Sequence, residues 1–182
     1  MPSSTQLARA SNFLSTKLQF SLMFRIFSFF TSARFRVKGN SMEPSLSDGE
    51  YLLVTRTIQD FVRGDVVMLH DPDEMQVDLV KRIVGLPGES ITCNDGNLEV
   101  DGFFLTESYV VKQALPEGSS QRWELEEDQY LVLGDRRDNS RDSRHFGPIS
   151  CELIVGRAWF RYWPYHSWGH IGRFHSRENN IA

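Results

Sequence analysis

Cysteine is nearly absent: Cys93 and Cys151 are the only two in 182 residues. They lie far apart and make no disulfide framework, and nothing in the sequence sets their redox state. Cys93 has no His–Asn or His–Asp arrangement around it, which excludes it as a nucleophile. Acidic residues are missing altogether from the first forty positions. That arm holds Arg9, Lys17, Arg25, Arg34, Arg36 and Lys38, a charge of +6, so the remainder carries −10 of the overall −4. A basic arm ahead of an acidic body suits an anionic membrane surface. It does not suit nucleic acid, whose phosphates the body would repel.

A long uninterrupted hydrophobic run is also missing. Residues 18–30 are the most apolar stretch, and as a helix they would rise about 20 Å, short of the roughly 30 Å hydrocarbon core. A longer segment would reach across only by carrying Arg25 near its middle, at a cost of about 3 kcal/mol. Lys17, Ser21, Arg25, Ser28 and Ser32 recur at helical spacing and would form one narrow polar stripe. Three readings stay open for this arm, taken as residues 1–36. It is an interfacial amphipathic helix, a marginal single span in which Arg25 snorkels or pairs, or else a cleaved targeting segment of the Ser- and Arg-rich mitochondrial type or a helix packed on the body.

Beyond Arg34 the pattern becomes β. Residues 51–55, 65–69, 78–84, 129–133 and 153–160 are short β-rich runs, separated by turns such as Ser47-Asp48-Gly49 and Leu86-Pro87-Gly88. Asn94-Asp95-Gly96-Asn97 and Asp101-Gly102 bracket a hairpin strand at Leu98-Glu99-Val100. There is no internal repeat, residues 115–121 read as a loop, and residues 173–182 as a frayed tail. The expected architecture is mainly β, an antiparallel barrel or sandwich preceded by a hydrophobic helix. A run of Trp159, Phe160, Tyr162, Trp163, Tyr165 and Trp168 is either an interfacial aromatic belt or core and turn. His166, His170 and His175 have no carboxylate or cysteine between them and read as loop histidines, not a metal site.

Three phrases carry the chemistry. Ser41 sits in Gly39-Asn40-Ser41-Met42-Glu43-Pro44, at the end of a strand where a hydroxyl can be exposed. Lys81 sits in a strand otherwise made of Leu79, Val80, Ile83 and Val84, where burial can lower its pKa and turn its amine into a base for the serine. Arg82, the next residue, is expected on the opposite face, where it could meet a carboxylate. Residues 134–148 then read Gly-Asp-Arg-Arg-Asp-Asn-Ser-Arg-Asp-Ser-Arg-His-Phe-Gly-Pro.

In this order the phrases resemble type I signal peptidases, the Ser/Lys membrane proteases of peptidase family S26 that remove secretory signal peptides. The resemblance implies a β-rich catalytic core (residues 37–89 and 129–168), an inserted β cap (90–128) and a tail (169–182). It implies Ser41 as nucleophile and donor of one oxyanion N–H, and Lys81 as general base. Ser140 would orient the lysine amine, while Asp142 with Arg144, and Arg82 with Asp135, would brace the site. Gly39 stands where some relatives carry a serine hydroxyl donor, so a second donor here would be a backbone N–H or a water. Arg136 stands where the family usually has asparagine.

No metal or other cofactor is implied. The implied partners are signal-peptide-bearing preproteins and membrane lipid, without nucleic acid, for a monomer at the cell membrane with its site on the extracytoplasmic side. An extended substrate, small before the cut, would add as a strand in an apolar groove bounded by strands such as residues 65–69. The nearest alternative is a Ser/Lys maturation protease with one dedicated substrate, of mitochondrial inner-membrane or soluble type. A self-cleaving repressor would need a helix-turn-helix ahead of the serine, and the arm does not supply one.

Overall fold

The computed structural model describes residues 32–56, 60–110 and 120–172. The arm up to residue 31, most of the 115–121 loop, and the tail from 173 with His175 lie outside the described residues, and with them the expected N-terminal helix. From Ala33 onward the chain is one compact unit. In chain order its strands are β1 (Ala33–Arg36), β2 (Tyr51–Thr55), β3 (Val66–His70), β4 (Asp78–Gly85), β5 (Ser90–Asn94) and β6 (Asn97–Val100). There follow β7 (Phe103–Phe104), β8 (Ser120–Glu124), β9 (Gln129–Leu133), β10 (Ile149–Ser150), β11 (Ile154–Trp163) and β12 (Gly169–His170). Among the described residues one short α-helix, α1 (Ser143–Phe146), lies within the third phrase.

The strands form two antiparallel sheets. The larger runs β1-β2-β11-β3-β4-β9-β10, with β12 beside β11, and no pair among the described residues closes it into a barrel. The smaller runs β7-β6-β5-β8 and is built wholly from the insertion. Burial explains the composition of the strands. Val66 and Met68 of β3 pack with Met42, Leu46 and Val54, whereas Val67 and Leu69 pack with Ile83, Val132 and Ile149. A strand covered on both faces needs a continuous apolar run and not an alternation. Each such side chain, fully buried, contributes about 1.5–3 kcal/mol. Val84, Leu131 and Leu133 of the large sheet share a third cluster with Ile91, Cys93 and Leu98 of the small one. Gly85 permits that contact, because a Cβ there would lie 2.8–2.9 Å from Leu125, Ile91 and Leu131.

Three expectations need correction. Residues 33–36, assigned to the arm, are β1 and pair with β2 (Ala33 opposite Val54). Residues 169–170, assigned to the tail, are β12: Gly169 sits opposite Arg161, and the Ile171 N–H donates to Trp159 O at 3.0 Å. The strand named as a wall of the substrate groove, β3, is central and paired on both sides, by β11 and β4, so it offers no edge. Among the described residues the open edge lies one strand over: residues 78–81 of β4 pair with β3 on one side, and β9 joins β4 only from Arg82 onward.

Candidate active site

Ser41 opens a tight run of turns after β1. Val37 is tied to Glu50 and Gly49 by backbone hydrogen bonds of 2.8 and 3.0 Å, which folds the intervening residues into a loop. Inside it the Leu46 N–H reaches Met42 O at 2.9 Å, and Met42 and Leu46, each 1% exposed, sink into the core. Those two anchors leave Ser41 half-buried at the surface of the loop. The Ser41 N–H has no acceptor among the described residues. Lys81 approaches from β4, buried to 3% exposure, and its Nζ lies 2.8 Å from Ser41 Oγ. Burial pushes the Lys81 amine down from its ordinary 10.5 to about 8, against the opposing pull of the Asp142, Asp135 and Asp71 carboxylates. At that value a large share of the amine is neutral near pH 8, so it can accept the serine proton.

The third phrase is fastened to this pair from behind. The Arg136 N–H donates to Ser41 O at 3.0 Å, and Asn139 Nδ2 to Asn40 Oδ1 at 3.2 Å. Gly134 makes the approach possible, since a Cβ there would lie 2.2 Å from Ser140 Oγ and 2.6 Å from Ser41 O.

A model of the signal peptidase family, peptidase S26, matches residues 10–163. The chain belongs to that family. It is 35% identical to a probable signal peptidase I-2 of Synechocystis sp., over 75% of this chain and 65% of the relative. It is 31% identical to signal peptidase IB of Staphylococcus aureus, over 86% and 91% respectively. A solved signal peptidase I from Enterococcus faecalis V583 aligns with a TM-score of 0.49 at 28% identity, over 56% of this chain and 98% of the other. The chain thus spans just under two thirds of the first of these relatives.

The residues expected around Ser41 and Lys81 in this S26 peptidase fall as follows. Arg82 forks onto Asp135, Nε to Oδ1 at 2.9 Å and Nη2 to Oδ2 at 2.6 Å, both side chains at most 1% exposed. As the alternation of a strand requires, Arg82 lies opposite Val66 and Lys81 opposite Val67, on opposite faces; there Arg82 also reaches the serine loop, with Nη2 3.2 Å from Ser45 Oγ, while Nη1 donates to Gly64 O at 2.9 Å. Arg144 forks onto Asp142 at 2.9 and 2.8 Å. Asp142 is fully buried; burial alone would raise its pKa, but Arg144 and the Gly134 N–H together hold it below the usual range. Asp142 also caps α1 through the Arg144 N–H.

Ser140 differs from its expected role. It is buried beside Gly134, and its Oγ makes no hydrogen bond to Lys81 or to any other described residue. Gly39 lies exposed in the loop, its N–H on Asp48 Oδ1 at 2.7 Å. Among the described residues no His, Cys, Asp and Glu cluster could hold a metal.

The sequence left several partners unassigned. Arg136 pairs with Glu43 at 3.0 Å, Arg137 with Glu107, and Arg141 with Asp71 and Asp73. The Tyr109 hydroxyl donates to Glu107, and the Tyr109 ring lies under the Arg82 guanidinium, 4.2 Å from its centroid. A signal was present: the phrase holds four arginines against three aspartates, so a folded site must find carboxylates elsewhere in the chain.

Proposed function

We propose that this S26 peptidase cleaves signal peptides from preproteins through a Ser41–Lys81 dyad. The observation that carries the reading is the 2.8 Å contact between Lys81 Nζ and Ser41 Oγ inside a buried, carboxylate-braced setting. Neutral Lys81 takes the Ser41 proton as Oγ attacks the scissile carbonyl, then returns it to the leaving amine. The acyl-enzyme is hydrolysed when the same amine activates a water. The Ser41 N–H serves the oxyanion, and preorganisation of such a donor is worth about 3 kcal/mol of barrier. Arg82–Asp135 and Asp142–Arg144 act as braces of the serine loop and of the residues 134–144, and Ser140 lies within that braced loop.

The substrate lies extended along the open edge of β4, at residues 78–81, adding main-chain hydrogen bonds to the sheet. The insertion at residues 90–128 is a cap on the catalytic core, and the protein works at a membrane surface with its site outside the cytoplasm. Among the described residues no helix is long and apolar enough to span a bilayer. Attachment is assigned to the basic arm and the exposed aromatics.

The test is incubation of the purified protein in detergent with a preprotein carrying an Ala-x-Ala site, alongside Ser41→Ala and Lys81→Ala. Cleavage after the final Ala by the wild type, lost at least a thousandfold in both variants, is expected. Substantial activity in either variant would sink the dyad. No cleavage by a folded wild type would move the reading to a protease with one dedicated substrate.

A further inference from the structure

A single arginine ties the β3–β4 turn to the loop that carries Ser140. Arg141 Nε donates to Asp71 Oδ2 at 2.7 Å and Nη2 to Asp71 Oδ1 at 3.1 Å, a fork on a carboxylate, and Nη2 also reaches Asp73. An ion pair between two exposed side chains would mean little. This one is not of that kind, because the Asp71 side chain is 4% exposed against 46% for Arg141. A buried carboxylate needs a partner, and Arg141 with the Asp73 N–H, at 3.0 Å, supplies it.

Asp71 also builds the turn itself. Its N–H donates to Val77 O at 2.8 Å and its carbonyl accepts from the Glu74 N–H at 3.2 Å. The residue after Val77 begins β4, and with it the one-sided edge that ends at Lys81. His70 Nδ1, 2.8 Å from Asp78 Oδ1, fastens the far end of that edge to β3. Arg141 stands between Ser140 and Asp142 in sequence, so the dyad's bracing loop and the origin of the open edge are joined through its guanidinium.

We propose that Arg141 is a positioning residue for substrate: through Asp71 and Asp73 it fixes the open edge of β4 at the distance from Ser41 that an extended peptide requires. The inference rests on the peptidase reading given above. A strand added to an edge advances about 3.3 Å per residue. An edge displaced by about 1 Å therefore spoils the main-chain hydrogen bonds it offers an extended peptide, and the loss falls on binding of the residues laid against the edge. Residues of the substrate well before the cut feel this most, because they touch the edge and nothing else of the dyad.

The experiment compares two peptides with the same Ala-x-Ala cut site, one beginning three residues before the cut and one beginning five before it, so that only the second reaches the start of the edge at Asp78. The wild type is expected to favour the longer peptide. Arg141→Ala is expected to abolish that preference, with kcat/KM on the long peptide falling at least tenfold, through KM, and that on the short peptide staying within about twofold. Arg141→Lys, which keeps the charge but not the fork, should recover part of the loss. Equal falls on both peptides, or no fall on either, would overturn the proposal.

Should Arg141→Ala fail to fold, Asp73→Ala removes the exposed arm of the clamp and carries the same expectation at smaller size. A wild type that cleaves neither peptide would count against the peptidase reading alone. Hydrogen exchange then decides the clamp: amides of residues 74–80 should exchange at least tenfold faster in Arg141→Ala, and unchanged rates would refute it.

Discussion

Lys81 spends stability to be useful. Its amine is held near 8 instead of 10.5, a difference equal to about 3 kcal/mol between charged and neutral forms. Below pH 8 the folded protein carries a buried ammonium and bears that cost in full. Between 8 and 10.5 the unfolded chain binds more protons than the folded one, so stability rises with pH, and above 10.5 the cost is gone. Lys81→Met is therefore expected to be more stable than the wild type at pH 7, by up to about 3 kcal/mol, with the gap closing by pH 10.5 in urea unfolding. In the wild type, kcat/KM should climb about tenfold per pH unit up to an inflection near 8. A flat profile from pH 6 to 9 would deny Lys81 the role of base. At this scale the sequence was readable, because serine and lysine each sit in a phrase whose neighbours are either turn formers or buried aliphatics. The orientation of Ser140 was not readable, since a hydroxyl's partner depends on a rotamer and not on spacing.

Among the elements, the loop that follows β9 does the most to assemble the site. It touches Ser41 through the Arg136 N–H, holds Ser140 against Gly134, and buries two forked ion pairs with the help of β4. Gly134→Ala places a methyl group 2.2 Å from Ser140 Oγ and 2.6 Å from Ser41 O. One of these two segments must move, so the substitution should cost about 1–3 kcal/mol in stability. It should also cut kcat/KM by more than tenfold, measured on the preprotein against the urea midpoint of the same sample. Wild-type activity in Gly134→Ala would mean that the loop and the serine turn are not held as close as described.

β2 and β9 have the bounds that their apolar runs announce, because a buried strand flanked by turns has little freedom in where it starts. The neighbours of a strand are another matter. That β3 lies between β11 and β4, and not at a groove, depends on pairings up to ninety residues apart, and no local pattern encodes them. The same distance hid Asp71 from Arg141 and Glu43 from Arg136.

For the whole molecule, the aromatic run divides in two. Trp159 and Phe160 are partly buried and meet the His170 ring, tilted and edge-on respectively, with ring centroids 5.7 and 5.3 Å away. Trp163, Tyr165 and Trp168 are 53%, 76% and 66% exposed, more than solvent alone would favour for three large rings in six residues. Their amphipathic rings suit the headgroup level of a bilayer. Trp163→Ser with Trp168→Ser is expected to weaken cosedimentation with anionic vesicles severalfold while leaving cleavage of a soluble peptide within about twofold. Unchanged cosedimentation would leave attachment to the basic arm alone. The two readings that the sequence left open for this run were inseparable there, because burial is decided by β12 folding back on β11, through two residues taken for tail.

The brevity of the unpaired stretch at residues 78–81 has a second effect, on how copies of the chain treat one another. A sheet that advertises free backbone groups invites another molecule to zip on, and long flat borders seed fibres. Four residues, bounded by β9 at one end and a charged turn at the other, allow a passing polypeptide to register briefly. They give a sister molecule no frontage along which to grow, so the sheet can leave one seam unstitched without seeding fibres.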